Sequence, residues 1–108
     1  GFNVSPDEIE RVLAEHPGVA EAACIGIPDP REIAGQVVAA FLVASAGSAP
    51  TSDGEMSQWV AAQLESYKIP AQYSWTSTLP RTSSGKLLRR ALRSTTPATT
   101  QPADPARA

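Results

Sequence analysis

The order of apolar and polar residues predicts a first helix directly after Ser5. Apolar side chains recur at helical spacing as Ile9, Val12 and Leu13, and Ser5 precedes them as an N-cap that Glu8 would complete into a capping box. We therefore expect this helix to bury one apolar face. The charged residues that we expect on its outer face are Glu10, Arg11 and Glu15.

Two apolar stretches come next, and both are typical of strands. Residues 19–27 alternate between a face of mostly larger side chains, interrupted by Glu21, and a face of small side chains that lets a helix approach closely. Residues 36–43 are apolar at nearly every position, which predicts a central strand. The larger face contains Val19, Ala23, Ile25 and Ile27, and the small face contains Ala20, Ala22, Cys24 and Gly26.

A second helix and a third strand complete the regular pattern. The helix should begin near Thr51 or Ser52, with Glu55 placed for a second capping box. Tyr73 and Trp75 then alternate with polar residues, which predicts a half-exposed strand. For the helix tryptophan we expect core packing rather than stacking on a ligand. The buried face of this helix should contain Met56, Trp59, Val60, Leu64 and Tyr67.

The predicted fold is a small, compact α+β domain over residues 1–93, with a short sheet of about three strands flanked by helices. Residues 94–108 are rich in threonine, proline and alanine and show no periodicity. Such a segment cannot bury enough apolar surface to offset the entropy of ordering it. We therefore expect residues 94–108 to form a disordered tail.

Composition and charge limit the classes of function. A chain of 108 residues with a net charge of −2 has room for one domain and does not resemble a nucleic-acid binder. No stretch is long and apolar enough to predict a membrane span. The single cysteine and single histidine exclude an internal disulfide and a structural zinc site, and we expect no metal site. The opening without methionine suggests a piece of a longer chain, for which a cytoplasmic setting is the default.

The candidate chemistry lies in a basic segment near the end of the domain. Every charged residue from Arg81 to Arg93 is basic, which suggests one anionic ligand or one acidic partner surface. A polar turn at residues 82–85 leads to Lys86, which we place where a helix begins. A lysine beside the free amides of a helix start suits a phosphate or a developing oxyanion. The alternative from these residues alone is an ordinary solvated lysine. The apolar side chains that this helix would bury are Leu87, Leu88, Ala91 and Leu92.

Over residues 1 to about 93, the chain resembles the C-terminal domain of the adenylate-forming enzymes. These enzymes include acyl-CoA synthetases, adenylation domains of nonribosomal peptide synthetases, and luciferases. The form Pro-Arg-Thr-x-Ser-Gly-Lys, followed by Leu-Leu-Arg-Arg, is most similar to acyl- or aryl-CoA ligases. The segments that carry the resemblance are 1–10, 16–19, 26–30, 67–70 and 80–86.

The resemblance implies a mobile C-terminal lid that works with an N-terminal domain outside this chain. It implies ATP with Mg²⁺ on that larger domain, a carboxylic acid and coenzyme A as reactants, and Lys86 as the catalytic lysine of adenylation. It also implies that the fragment alone is inactive as a ligase. Two alternatives stay open: the lid of a peptide synthetase adenylation domain, or a freestanding binding or regulatory module without catalysis. The implied nucleotide or acyl-adenylate contacts are Asn3, Ser84, Gly85 and Lys86, and the implied coenzyme A contacts are Gly1 and Phe2.

Overall fold

The computed structural model describes residues 5–31 and 35–94, and it contains helices and strands in the predicted order. Gly1, Phe2 and Asn3 lie outside the described residues, as does the predicted tail from residue 95 onward. Ser94, which we expected to begin that tail, is instead the last residue of a helix. The elements in chain order are α1 (Pro6–Ala14), β1 (Val19–Pro28), β2 (Gln36–Ala44), α2 (Asp53–Ala61), a 3-10 helix (Ser66–Lys68), β3 (Gln72–Trp75) and α3 (Arg89–Ser94).

The strands form one three-stranded sheet in the order β1-β2-β3. β1 pairs antiparallel with β2, whereas β2 pairs parallel with β3, and α2 lies in the connection between the two parallel strands. Parallel neighbours need a crossover of this kind because no tight turn can join them. β2 is therefore the central strand, as its continuous apolar sequence predicts.

Both faces of the sheet are covered, and each cover makes its own apolar core. The first core lies on the face under α1 and α2 and contains Ile9, Val12, Leu13, Val19, Cys24, Val38, Ala40, Leu42, Met56 and Val60. The opposite face, under α3 and the segment before it, buries Ala23, Ile25, Ile27, Ala39, Phe41, Leu79 and Leu92. Alternate residues of β2 contribute to the two cores, which explains why hardly any position of this strand is polar.

Val19 lies on the opposite face from the one that its sequence position predicts. It packs in the core under α1 and α2 beside Cys24, instead of sharing a face with Ala23 and Ile25. The strand register shifts between Val19 and Glu21, so one extra residue enters β1 there. Because side chains alternate with a period of two, one inserted residue moves every side chain before it to the other face.

Neither of the two predicted capping boxes forms, although the Ser52 cap of α2 is present. Ser5 makes no side-chain cap hydrogen bond, whereas the Ser52 hydroxyl accepts a hydrogen bond from the Glu55 amide at 3.2 Å. The Glu55 carboxylate turns away from its own helix start and contacts His16. Tyr67 also departs from the prediction, because α2 ends at Ala61 and the tyrosine is 62% exposed.

His16 is a buried structural residue between the two helices of the first core. Its Nδ1 accepts a hydrogen bond from the Gly18 amide at 2.9 Å, and its Nε2 lies 3.0 Å from a Glu55 carboxylate oxygen. Trp59 meets the His16 ring edge to face and donates from Nε1 to the Val12 carbonyl at 2.7 Å. These contacts confirm that the tryptophan packs in the core.

Candidate functional site

Residues 81–87 form a small hairpin, which we call the lysine hairpin. Arg81 and Leu87 form an antiparallel bridge, and the Thr82 amide donates to the Lys86 carbonyl at 2.8 Å. The Gly85 amide closes the turn by donating to the Thr82 carbonyl at 2.9 Å. Gly85 has a φ of 91°, a left-handed conformation that a residue with a side chain adopts at a cost. The turn therefore follows the three-residue hairpin pattern that ends in a left-handed glycine.

The Thr82 side chain locks the inside of this turn. Its hydroxyl oxygen accepts a hydrogen bond from the Lys86 amide at 3.1 Å and lies 2.9 Å from the Ser84 hydroxyl. The backbone of Lys86 is thus bound to Thr82 on both its amide and its carbonyl. A short loop with this many internal hydrogen bonds holds one backbone geometry, which fixes the point from which the lysine side chain extends.

Lys86 lies on the second arm of the hairpin, so its predicted position at a helix start is wrong. The chain stays extended through Leu87, and the Leu88 amide donates to the Pro80 carbonyl at 2.9 Å. α3 begins only at Arg89 and is six residues long. Leu88 is 36% exposed and is not a core residue of that helix. The free amides of a helix start consequently do not surround the lysine.

The Lys86 side chain is exposed, and its ammonium makes no ion pair or hydrogen bond with any residue in the ranges 5–31 and 35–94. Two nearby arginines, Arg81 and Arg89, are paired with carboxylates instead. Arg81 donates through one terminal nitrogen to the Gly85 carbonyl at 3.1 Å and through the other to Glu21 at 2.9 Å. Within the basic segment, Lys86 therefore keeps a positive charge that no described carboxylate neutralises.

Arg89 is paired as well, and its partner corrects a sequence prediction. Glu10, which we expected to face solvent, has only 16% of its side chain exposed and accepts from Arg89 at 2.9 Å. The same carboxylate accepts a hydrogen bond from the Cys24 amide at 2.8 Å. Glu10 thus joins α1, the outer edge of β1 and α3, which satisfies an edge-strand donor that would otherwise lack a partner.

Two backbone donors lie at the tip of the lysine hairpin. Within the described residues no hydrogen bond reaches the amide of Ser83 or Ser84, whereas the amides of Gly85 and Lys86 are both used inside the turn. The predicted contacts Ser84, Gly85 and Lys86 therefore lie in one turn, with different chemical capacities. The tip offers two free amides and one cation, which is a donor set suited to phosphate or carboxylate oxygens.

Other candidate chemistry in the described parts of the chain is limited. Burial raises the pKa of the Cys24 thiol, so the sulfur stays protonated and is a poor nucleophile. No group of three or more histidine, cysteine, aspartate or glutamate side chains could hold a metal ion in residues 5–31 and 35–94. None of the helices in these ranges has the length and apolar character needed to cross a membrane.

The sequence did not reveal the ion pair between Arg81 of the hairpin and Glu21 of β1. Arg81 counted only as one basic residue among several, and Glu21 only as an interruption of an apolar face. The signal that could have indicated their pairing is that interruption, since a charged residue within an apolar strand face often has a partner. The two residues are 60 positions apart, so no local pattern joins them.

Comparisons with known proteins identify one family over most of the chain. The sequence model of the AMP-binding enzyme C-terminal domain matches residues 8–86. The chain is 50% identical over 93 residues to a fatty acid–[acyl-carrier-protein] ligase, ScoC, of Streptomyces coeruleorubidus, covering 86% of this chain and 17% of that protein.

Two solved structures share the fold at substantial sequence identity. A fatty acyl CoA synthetase of Mycobacterium tuberculosis superposes with a TM-score of 0.79 at 37% identity, covering 92% of this chain and 19% of that one. The o-succinylbenzoate CoA synthetase (MenE) of Bacillus subtilis, in complex with its acyl-adenylate intermediate, superposes with a TM-score of 0.77 at 42% identity, covering 86% and 18%. The chain thus spans less than a fifth of the length of each of these proteins.

Proposed function

Because the chain belongs to the AMP-binding enzyme C-terminal domain family, we propose that it is the mobile C-terminal domain of an AMP-forming acyl- or aryl-CoA ligase. In this proposal a carboxylic acid attacks the α-phosphate of ATP, which forms an acyl-adenylate and releases pyrophosphate. A thiol then attacks the acyl carbon and displaces AMP. The lysine hairpin acts in the first of these half-reactions.

The proposed role of Lys86 is to stabilise negative charge as the carboxylate and the α-phosphate combine. Charge increases on the phosphoryl oxygens during this step, and a positioned cation lowers its barrier. The Ser83 and Ser84 amides at the same turn can donate to the same group of oxygens. The family reaction uses Mg²⁺ with ATP, and we expect that ion on the larger domain, since the described residues offer no group of metal ligands.

The observation that supports this proposal is the contrast between Lys86 and the two paired arginines near it, together with the position of Lys86 on the hydrogen-bonded turn. Arg81 and Arg89 already interact with carboxylates of this domain, whereas the Lys86 ammonium is exposed and has no described partner. An unpaired cation on a rigid turn can bind an external anion without first breaking an internal ion pair. We propose that this cation is delivered to the larger domain during adenylation and withdrawn afterwards.

In the second half-reaction we propose that the domain rotates and that residues 1–3 approach the acceptor thiol. Gly1 suits a position that a ligand passes, since it has no side chain there. Gly1 and Phe2 would line the path of the acceptor, and Asn3 would face the nucleotide. Coenzyme A is the acceptor named for both solved structures, whereas ScoC is named as a ligase for an acyl carrier protein. A carrier-protein thiol is therefore the second candidate acceptor.

The test measures the two half-reactions separately in the ligase that contains this domain. Lys86→Ala should lower the rate of adenylate formation about a hundredfold, which corresponds to about 2.7 kcal/mol of transition-state stabilisation. It should leave thioester formation from supplied acyl-adenylate nearly unchanged. Arg90→Ala is the matched control, because Arg90 is an exposed cation of the same segment with no ion pair to a described residue. Equal loss of both half-reactions in Lys86→Ala would contradict the proposal.

A second measurement concerns the chain by itself. We expect the purified 108-residue chain to show no ligase turnover with ATP, a carboxylic acid and coenzyme A, because the proposed ATP site lies on the larger domain. Turnover by this chain alone would contradict the assignment as a lid. If Lys86→Ala has no effect on adenylation and lowers only a non-catalytic function, the result would instead support the freestanding module.

A further inference from the structure

Arg81 is the only residue in the described parts of the chain that joins the tip of the lysine hairpin to the sheet through side-chain hydrogen bonds. One terminal nitrogen of its guanidinium donates to the Gly85 carbonyl at 3.1 Å, directly before Lys86. The other donates to a Glu21 carboxylate oxygen at 2.9 Å. The planar guanidinium can hold two acceptors in fixed directions at once, which an ammonium cannot.

Glu21 makes this contact from an unusual part of β1. It directly follows the register shift that begins at Val19, where an extra residue bends the strand and changes which side chains share a face. Bulges often redirect a side chain in this way. The Glu21 carboxylate is 43% exposed and the Arg81 side chain is 41% exposed, so solvent weakens the pair and it adds little to folding stability.

We propose that Arg81 is a positioning residue for Lys86, with Glu21 as its anchor on the sheet. This inference rests on the proposed function of Lys86 in adenylation. Arg81 binds the Gly85 carbonyl, which belongs to the peptide bond between Gly85 and Lys86. The direction in which the ammonium extends is therefore set relative to β1 and not only by the turn itself. A displacement of about 1 Å at a reacting centre can lower a rate about a hundredfold, so a weak contact at this place can have a large kinetic effect.

Two other roles for Arg81 make different predictions. An arginine that contacts the nucleotide itself would act independently of Lys86, and its charge could be supplied in part by a lysine. An arginine that only stabilises the fold would affect both half-reactions alike, because the whole domain would be weakened. A positioning role acts through Lys86, so its effect should disappear when the lysine side chain is removed.

The experiment uses the ligase that contains this domain and measures both half-reactions in single and double variants. Arg81→Ala should lower the rate of adenylate formation about tenfold and spare thioester formation from supplied acyl-adenylate. Glu21→Ala should give a loss of similar kind and smaller size, and Glu21→Gln should recover part of it, since an amide oxygen still accepts a hydrogen bond. Arg81→Lys should recover little, because one ammonium cannot hold both acceptors in the same geometry.

The decisive variant combines Arg81→Ala with Lys86→Ala. The positioning role predicts that this double variant adenylates no more slowly than Lys86→Ala alone. A further loss in the double variant, an equal loss in both half-reactions of Arg81→Ala, or no loss at all would overturn the inference. If Lys86→Ala lowers adenylation while Arg81→Ala has no effect, only the positioning role fails. If Lys86→Ala itself has no effect, the proposed function fails first.

Discussion

The first core and the lysine hairpin lie on opposite sides of the sheet, and they differ in how they are attached to it. On the side of α1 and α2, fully buried apolar residues such as Ile9, Leu42 and Val60 have no exposed surface. On the other side there is also an apolar core, but the lysine hairpin at its edge is joined to the sheet by the partly buried Leu87 and, among its side-chain polar contacts, by an ion pair whose partners are each about two-fifths exposed. Burying a leucine side chain contributes about 2 to 3 kcal/mol, whereas an exposed ion pair contributes about 1 kcal/mol or less.

This difference indicates how the domain can be stable and still have an active surface. The first core stabilises the fold through fully buried apolar side chains, and its one thiol, Cys24, is buried and protonated. The hairpin has the unpaired cation Lys86, and the ion pair that ties it to the sheet contributes little to folding. Changes on the two sides should consequently separate into effects on the free energy of unfolding and effects on adenylation.

The largest effect is expected from removing a side chain of the first core. Leu42→Ala should lower the free energy of unfolding by about 3 kcal/mol, because Leu42 is completely buried and the cavity cannot fill fully. Urea denaturation of the 108-residue chain, followed by tryptophan fluorescence, measures this change. Leu88→Ala on the hairpin side is the control, with a smaller expected loss of about 1 kcal/mol, since Leu88 is 36% exposed. Equal losses in the two variants would contradict the division between the sides.

A smaller effect is expected from the helix caps, which offer a matched pair. Ser52→Ala should lower the free energy of unfolding by about 1 kcal/mol, because the hydroxyl accepts from the Glu55 amide at the start of α2. Ser5→Ala should have nearly no effect, since Ser5 precedes α1 without a side-chain cap hydrogen bond. Thermal or urea denaturation of both variants gives the comparison. A larger loss for Ser5→Ala would show that the cap assignment is reversed.

The smallest effect should appear only at a suitable pH. Lys68 donates to Glu8 at 2.7 Å and lies 3.0 Å from Glu65, and its hydrogen bond lowers the pKa of the Glu65 carboxyl below the ordinary value of 4.5. A depressed pKa in the folded state adds stability above the unfolded pKa, and this stability is lost as the pH falls through the folded pKa. Wild type should thus be more stable than Glu65→Gln at neutral pH, and the difference should vanish in acid.

Lys68, the partner of Glu65, does not titrate in the pH range of this experiment. Hydrogen bonds to Glu8 and Glu65 raise the pKa of Lys68, so its contribution is present at neutral pH and is lost only in strong alkali. Urea denaturation between about pH 7 and pH 3 therefore reports the titration of the glutamate and not of the lysine. A stability difference between wild type and Glu65→Gln that persists or grows in acid would contradict the prediction.

Local sequence patterns predict the first core and the element order well. The helical spacing of Ile9, Val12 and Leu13 and the continuous apolar run of β2 are local properties, and both are confirmed by burial. Val19 is one exception within this part. Its face depends on one inserted residue in β1, and a two-residue period cannot indicate where an insertion occurs.

The candidate site is less predictable, because its geometry depends on contacts between distant residues. The motif correctly indicated a polar turn with Lys86, but not that this turn closes as a hairpin by the pairing of Arg81 with Leu87. The partners of Arg81 and Glu55 lie 60 and 39 positions away, respectively. No local pattern contains such pairs, so the sequence suggested a helix start at Lys86 and a capping box at Glu55 where the structure has neither.

The most direct test of this account combines stability and activity in one variant. Lys86→Ala should leave the free energy of unfolding of the 108-residue chain unchanged within about 0.5 kcal/mol, since the side chain is exposed and has no described partner. The same substitution in the ligase that contains this domain should lower adenylate formation about a hundredfold. Unchanged adenylation, or a loss of activity matched by a comparable loss of folding stability, would contradict the central claim that Lys86 acts in chemistry and not in the fold.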